Sequence, residues 1–93
     1  MSMDYRNFTD ALHERLQDGK YACAYLSVAL ETYEEDGDTQ AFLLALRDVA
    51  DARGGMTKLA EKTSLNRQSL YKALSPQGNP RLDTLGNILH GLG

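Results

Sequence analysis

Apolar residues recur along this chain at intervals of three and four, and nowhere do they alternate singly as a strand would require. Tyr5, Phe8, Leu12 and Leu16 form the stripe of a first helix, interrupted at Asp18-Gly19. Ala22, Tyr25, Leu26, Ala29, Leu30 and Tyr33 make a second stripe, and Phe42, Leu43, Leu46, Val49 and Ala50 a third. A short fourth helix is expected from near Thr57, carrying Leu59 and Ala60. A fifth carries Leu70, Ala73 and Leu74, and a sixth carries Leu82, Leu85, Ile88, Leu89 and Leu92. About six helices on short connections predict an all-α fold, a compact bundle.

The polar residues between the stripes punctuate them. The run Glu34-Glu35-Asp36-Gly37-Asp38 opposes the negative end of the helix it closes. It suits the start of the next helix, with Asp38 or Thr39 as N-cap. Arg53 falls in the last turn of the third helix, and Gly54-Gly55 is able to supply a left-handed cap after it. Asn66 is an N-cap for the fifth helix, and Ser-Pro-Gln-Gly-Asn-Pro at 75–80 reads as a loop rich in turn residues.

Composition narrows the class without changing the picture. With 93 residues, 42% of them hydrophobic and 25% charged, one small globular domain is expected. The longest mostly apolar run, residues 21–30, is too short for a bilayer, and no basic segment followed by an apolar one opens the chain. The single cysteine, Cys23, has no partner for an internal disulfide. These features predict a cytoplasmic protein without a membrane partner.

Charge divides the chain. Residues 1–53 carry five cations against eleven acids, a net of −6, whereas residues 54–93 carry five cations against Glu61 and Asp83 alone, a net of +3. Two surfaces with different partners are expected. Residues 1–37 are read as an acidic helical extension packed on the same domain, a candidate partner-binding segment ahead of a basic unit over 38–93. Solvated charge without a partner is the plainer reading of the same numbers.

The stretch Met-Thr-Lys-Leu-Ala-Glu-Lys-Thr-Ser-Leu-Asn-Arg-Gln-Ser-Leu-Tyr-Lys-Ala-Leu-Ser, residues 56–75, narrows the chemistry. Two short helices joined by about three residues have the shape of a helix-turn-helix. Ala60 is small where the helices cross, Leu65 fills the space beneath the turn, and Leu70 and Leu74 anchor the second helix. Ser64 occupies a turn position that favours left-handed angles and usually glycine. Asn66, Arg67, Gln68, Ser69, Tyr71 and Lys72 are left projecting outward, where Arg and Lys suit guanine edges and Asn and Gln adenine edges in a major groove. Thr57, Lys58 and Lys62 before the turn, and Asn79 and Arg81 after the loop, are candidates to meet phosphates. No acid lies between Lys62 and Asp83, and residues 38–93 are read as the helix-turn-helix DNA-binding domain.

Catalytic chemistry finds little here. His13 and His90 lack neighbours at metal-ligand spacing, and Gly54-Gly55 lacks the strand and the Gly-Lys-Ser/Thr ending of a phosphate loop. The acids at 34–38 lack the closing Glu of a calcium loop, and Cys23 is expected to be a buried, inert thiol. No enzyme, metal or cofactor is expected.

Several runs resemble the addiction-module antidote family of Xre/Cro-type helix-turn-helix proteins. They are Phe42-Leu-Leu-Ala-Leu-Arg-Asp-Val-Ala-Asp-Ala-Arg-Gly-Gly-Met-Thr-Lys-Leu-Ala, and Leu70-Tyr-Lys-Ala-Leu-Ser-Pro-Gln-Gly-Asn-Pro continuing through Asp83-Thr84-Leu85. Ala24-Tyr25-Leu26 and Ala29-Leu30-Glu31 upstream are similar too, so the likeness spans roughly residues 20–92. The resemblance implies a Cro/repressor-like fold and the antitoxin half of a type II toxin–antitoxin operon. It further implies repression of that operon's own promoter and a small RelE/ParE-like toxin as partner. A homodimer on a palindromic double-stranded DNA operator is the expected assembly. A stand-alone Xre-family transcriptional regulator is the alternative. For the acidic half, Tyr5, Phe8, Tyr21, Tyr25 and Tyr33 are either anchors for a basic partner or part of the protein's own core. The dimer contact is open between the sixth helix and the N-terminal ones.

Overall fold

One helix is apolar or small on most of its faces, and the others are arranged around it. The computed structural model describes residues 5–92, with side chains from residue 11 onward; the side chains of Tyr5 and Phe8 lie outside the described residues. The elements are α1 (Tyr5–Leu16), α2 (Gly19–Asp36), α3 (Thr39–Ala52), α4 (Gly55–Thr63), α5 (Arg67–Ala73) and α6 (Leu82–Gly91), all of them helices. On α3, Phe42, Leu43, Ala45, Leu46, Val49, Ala50 and Ala52 are all buried. This helix packs against α1, α2 and α4, and α4 in turn packs against α5 and α6. No described helix is long and apolar enough to cross a membrane.

Local chemistry sets the helix ends. Asp18, Asp38 and Asn66 cap α2, α3 and α5, their side chains accepting from the backbone N–H groups of Lys20, Ala41 and Ser69 at 3.0, 3.1 and 2.7 Å. Each such cap contributes about 1 kcal/mol. The acids at the end of α2 do not shorten it: the helix runs to Asp36 and stops at Gly37, whose φ is 68° and whose N–H donates to the Tyr33 carbonyl at 2.7 Å. The fourth helix begins at Gly55, two residues before the expected Thr57. Arg53 caps the end of α3, and Gly54 and Gly55, both with positive φ (112° and 82°), turn the chain straight into α4, so only Arg53 and Gly54 separate the two helices.

Two cores share α3. Phe42, Leu43, Leu46 and Ala50 join Met56, Leu59, Leu70, Leu74 and Ile88, while Val49 and Ala52 join Leu16 and Ala22. Beyond Ala22 the stripe of α2 is incompletely covered. Tyr25, Leu26 and Ala29 are half-buried, Leu30 and Tyr33 are exposed, and Tyr33 leans on Phe42 with ring centroids 5.9 Å apart. On α6 only Ile88 is buried, and Leu82 is 84% exposed. These two helices stand apart across α3 and leave an apolar groove of about 700 Å³ between them. Cys23 borders that groove and is exposed, against the expectation of a buried thiol, because no described element covers its face of α2.

The half-buried Tyr25 hydroxyl donates to Asp48 Oδ2 at 3.2 Å, tying α2 to α3. Burial first, and the Asp48 charge second, push the Tyr25 hydroxyl from its usual 10 up to about 12. Burial also raises Asp48, and the tyrosine hydrogen bond works against that rise. A raised tyrosine stabilises the fold fully below pH 10 and loses that contribution as pH climbs through 12. Replacing Tyr25 by Phe is therefore expected to flatten the fall in Tm between pH 10 and 12. In the same variant Asp48 titrates at higher pH than in the parent, as carboxyl NMR will report; an unchanged Asp48 midpoint would contradict this account of the contact.

Candidate nucleic-acid interface

The chain between α4 and α5 is built around one left-handed residue. Ser64 has φ 62° and ψ 19°, the only positive φ outside glycine among the described residues, at the position the sequence marks for such angles. Side chains on both sides hold it. The buried Thr63 hydroxyl donates to the Leu59 carbonyl at 2.8 Å and accepts from the Leu65 N–H at 3.3 Å. Asn87 of α6 donates its Nδ2 to the Thr63 carbonyl at 3.0 Å. Leu65 packs half-buried against the core beneath the turn.

Past the turn, Asn66 caps α5 and Leu70 and Leu74 pin it, both at most 1% exposed. Because α5 has only seven residues, propensity alone does not hold it; burial of those two leucines does. Asn66, Arg67, Gln68, Ser69, Tyr71 and Lys72 are all exposed. The Arg67 guanidinium carbon stands 5.8 Å from the Tyr71 ring centroid, a cation–π spacing that pre-orders both side chains one turn apart. The following loop is folded tightly onto the end of α5. Ser75 Oγ donates to the Lys72 carbonyl at 2.9 Å and the Gly78 N–H to the Ser75 carbonyl at 2.9 Å. A Cβ at Gly78 would overlap the Ala73 carbonyl, so only glycine fits that close approach.

The candidate phosphate contacts flanking this strip divide into two groups. Thr57, Lys58 and Lys62 are exposed on α4, but Lys58 and Lys62 border a narrow crevice with Arg53, Gly91 and Leu92, on the flank turned toward α6. Thr57 lies about 100° around the helix from Lys58. Asn79 and Arg81 are exposed on the loop after α5, and Arg81 Nε sits 3.5 Å from Asp83 Oδ1. Both of those side chains are largely exposed, so the pair is weak and easily exchanged for another anion.

Sequence reasoning did not single out Asn87 or Gly91, and it took in Gly78 only as part of the turn-rich loop at 75–80. A Cβ on Gly91 would stand 2.9 Å from Thr63 Cγ2 and 3.1 Å from Leu59 Cδ1, which lets the end of α6 close on α4. The signal for Asn87 was a polar residue inside an apolar stripe, and for the glycines only their position. No group of three or more His, Cys, Asp or Glu side chains able to hold a metal occurs among the described residues.

A family described as "Probable addiction module antidote protein" matches residues 5–93, a span that also takes in α1. An uncharacterized protein of Haemophilus influenzae is 39% identical to the chain over 62 residues, 67% of this chain and 62% of that protein. The chain thus spans less than two thirds of the length of the curated relative it matches. No solved structure matches it.

Ser64 makes the turn testable. A left-handed non-glycine residue costs about 1–2 kcal/mol, part of which glycine's extra unfolded entropy cancels. Ser64→Gly is expected to raise the denaturation free energy by about 0.5 kcal/mol, and Ser64→Val to lower it by about 1 kcal/mol. Urea unfolding of the pair checks this, and a Val variant as stable as the Gly variant would contradict the observed backbone.

Proposed function

The chain belongs to the addiction-module antidote family, and from that membership we propose that it is the antitoxin of a type II toxin–antitoxin module and represses its own operon by binding the promoter. On this reading α4 and α5 act as an Xre/Cro-type helix-turn-helix, with α5 in the major groove. The observation that carries the reading is the α5 strip: six polar or cationic side chains exposed, with Leu70 and Leu74 fully buried behind them. Arg67 and Lys72 would address guanine edges and Asn66 and Gln68 adenine edges, with Ser69 and Tyr71 completing the base contacts. Thr57, Lys58, Lys62, Asn79 and Arg81 would meet phosphates, Lys58 and Lys62 from the α6 side of α4 and the other cation after exchanging Asp83 for the DNA.

One seven-residue helix buries too little surface for tight specific binding. A homodimer on a palindrome with half-sites about 10 bp apart supplies the second copy of the contact. The boundary at residue 37 is then one of role, an acidic partner-binding segment before a DNA-binding unit, although α1 and α2 cover α3 and share its core. Antidotes of this family imply a toxin partner, and a RelE/ParE-like toxin with a basic surface suits the net −6 of residues 1–53. The chain works on this reading as a cytoplasmic binding protein without catalytic groups.

The test is co-purification with the product of the neighbouring reading frame, followed by gel shifts on the shared promoter. Arg67→Ala or Gln68→Ala is expected to cost about 1–3 kcal/mol on the operator and much less on scrambled DNA. Lys62→Ala is expected to weaken both alike and to reduce the salt slope of log K by about 0.9. Equal losses on both duplexes from Arg67→Ala would contradict the base-reading role. Promoter binding without any neighbouring partner would favour a stand-alone Xre-type regulator.

A further inference from the structure

The groove between α2 and α6 is not used by the DNA-binding reading, and no other described element fills it. Its floor is α3, its walls present Leu30 and Tyr33 on one side and Leu82 and Leu89 on the other, and it runs beside α2 from Gly19 to Tyr33. The fourteen residue steps from Gly19 to Tyr33 correspond to a trough of about 21 Å, or four turns. We propose that this groove receives an amphipathic helix, cationic at one end, from the toxin, an inference that rests on the antitoxin reading above. The shape fits a helix whose apolar positions at i, i+3 or i+4, and i+7 enter between two parallel walls while its polar face stays in water.

Charge selects the occupant. The chain joining the lining residues Tyr33 and Thr39 carries Glu34, Glu35, Asp36 and Asp38, with Glu31 less than one turn before Tyr33. None of the five lines the groove itself, Asp36 and Asp38 bordering the cleft on the other side of Tyr33 and Phe42, so they act on this end of the groove through their field. All five are exposed, and the only ion pair among the described residues is the distant-in-sequence Arg81–Asp83. The opposite end of the groove holds Arg53, whose guanidinium donates to the Gln17 carbonyl at 3.0 Å, and Lys20 follows the lining residue Gly19. A second copy of the chain, turned end for end, would return two cations for five acids. It would also set one concave surface against another, with only the protruding Leu82 to fill the space. A small apolar molecule would find few converging polar groups to orient it. A helix with cations clustered at one end satisfies both the apolar walls and the acidic segment beyond one end of the groove, and electrostatic steering would speed its docking.

Cys23 borders the groove, is exposed, and is the single cysteine of the chain, so its alkylation rate reports occupancy directly. The probes are two synthetic 16-residue helices with the same leucine stripe, one ending in arginines and the other in glutamates, added to the full-length protein. The arginine helix is expected to slow maleimide labelling of Cys23 at least fivefold at low salt, with the protection fading as salt rises, and the glutamate helix to leave the rate unchanged. Leu30→Asp and Leu82→Asp, at positions 48% and 84% exposed and hence safe for folding, are expected to weaken the arginine helix at least tenfold. Equal protection by both helices, or by neither, overturns the proposal. So does a dimer that Leu82→Asp splits into monomers in sedimentation, which would assign the groove to a second copy. In cells expressing the neighbouring toxin, both variants should lose neutralisation yet still shift the promoter. Neutralisation retained in both overturns the groove assignment and leaves the antitoxin reading standing. A parent chain that fails to neutralise removes the antitoxin reading, and the occupant's identity with it.

Discussion

A helix that is apolar on most of its circumference cannot be left at a surface, and α3 is such a helix. Seven of its fourteen residues are buried, and Leu46 and Val49 are wholly inaccessible. Covering it takes α1 and α2 on one side and α4 on another, and α4 then presents its own free sides to α5 and α6. The orientation of α5 is therefore inherited. Among the described helices its backbone runs close to α4 alone, while its leucines reach the same core that α3 organises. Loss of a residue such as Leu46 to Ala would cost about 2–5 kcal/mol in the core that α3 shares with α4, α5 and α6.

The turn converts that packing into a displayed surface. Ser64 in the left-handed region changes the chain direction within three residues, while Thr63, Asn87 and Asn66 occupy the hydrogen-bonding groups on either side. No buried side-chain nitrogen or oxygen among the described residues is left without a partner. Rigid support behind and exposed polar side chains in front, engaged only by the Asn66 cap and the Arg67–Tyr71 stacking, are what a readout surface needs, because few contacts then have to be broken before binding. The Arg67–Tyr71 stacking adds order to that surface without burying it.

Much of this was legible in the chain. The helical period located all six helices, and Asp38, Asn66 and Ser64 carry short-range chemistry that a single sequence displays: caps and a left-handed turn. The misses share a different cause. Leu30, Leu82, Leu89 and Cys23 lie on faces that periodicity marks as apolar or neutral, but periodicity is silent on whether another element arrives to cover them. The early start of α4 arose because Gly54 and Gly55 turn the chain straight into it, which local propensity does not anticipate. The contacts of Asn87 and Gly91 reach Thr63 and Leu59, some twenty-five to thirty positions away, so the sequence shows a polar or small residue there without its partner. Gly78 meets Ala73 and Lys72 close by, in a loop whose turn residues are legible but whose tight approach is not.

The claim on which the rest turns is that the exposed face of α5 meets duplex DNA. Amide chemical-shift mapping with the duplex upstream of the chain's own reading frame tests it most directly. The account predicts that residues 66–72 show the largest changes, that residues 79–81 follow, and that a scrambled duplex leaves residues 66–72 nearly unmoved. Shifts confined to α1 and α2, or identical at residues 66–72 for both duplexes, would contradict it.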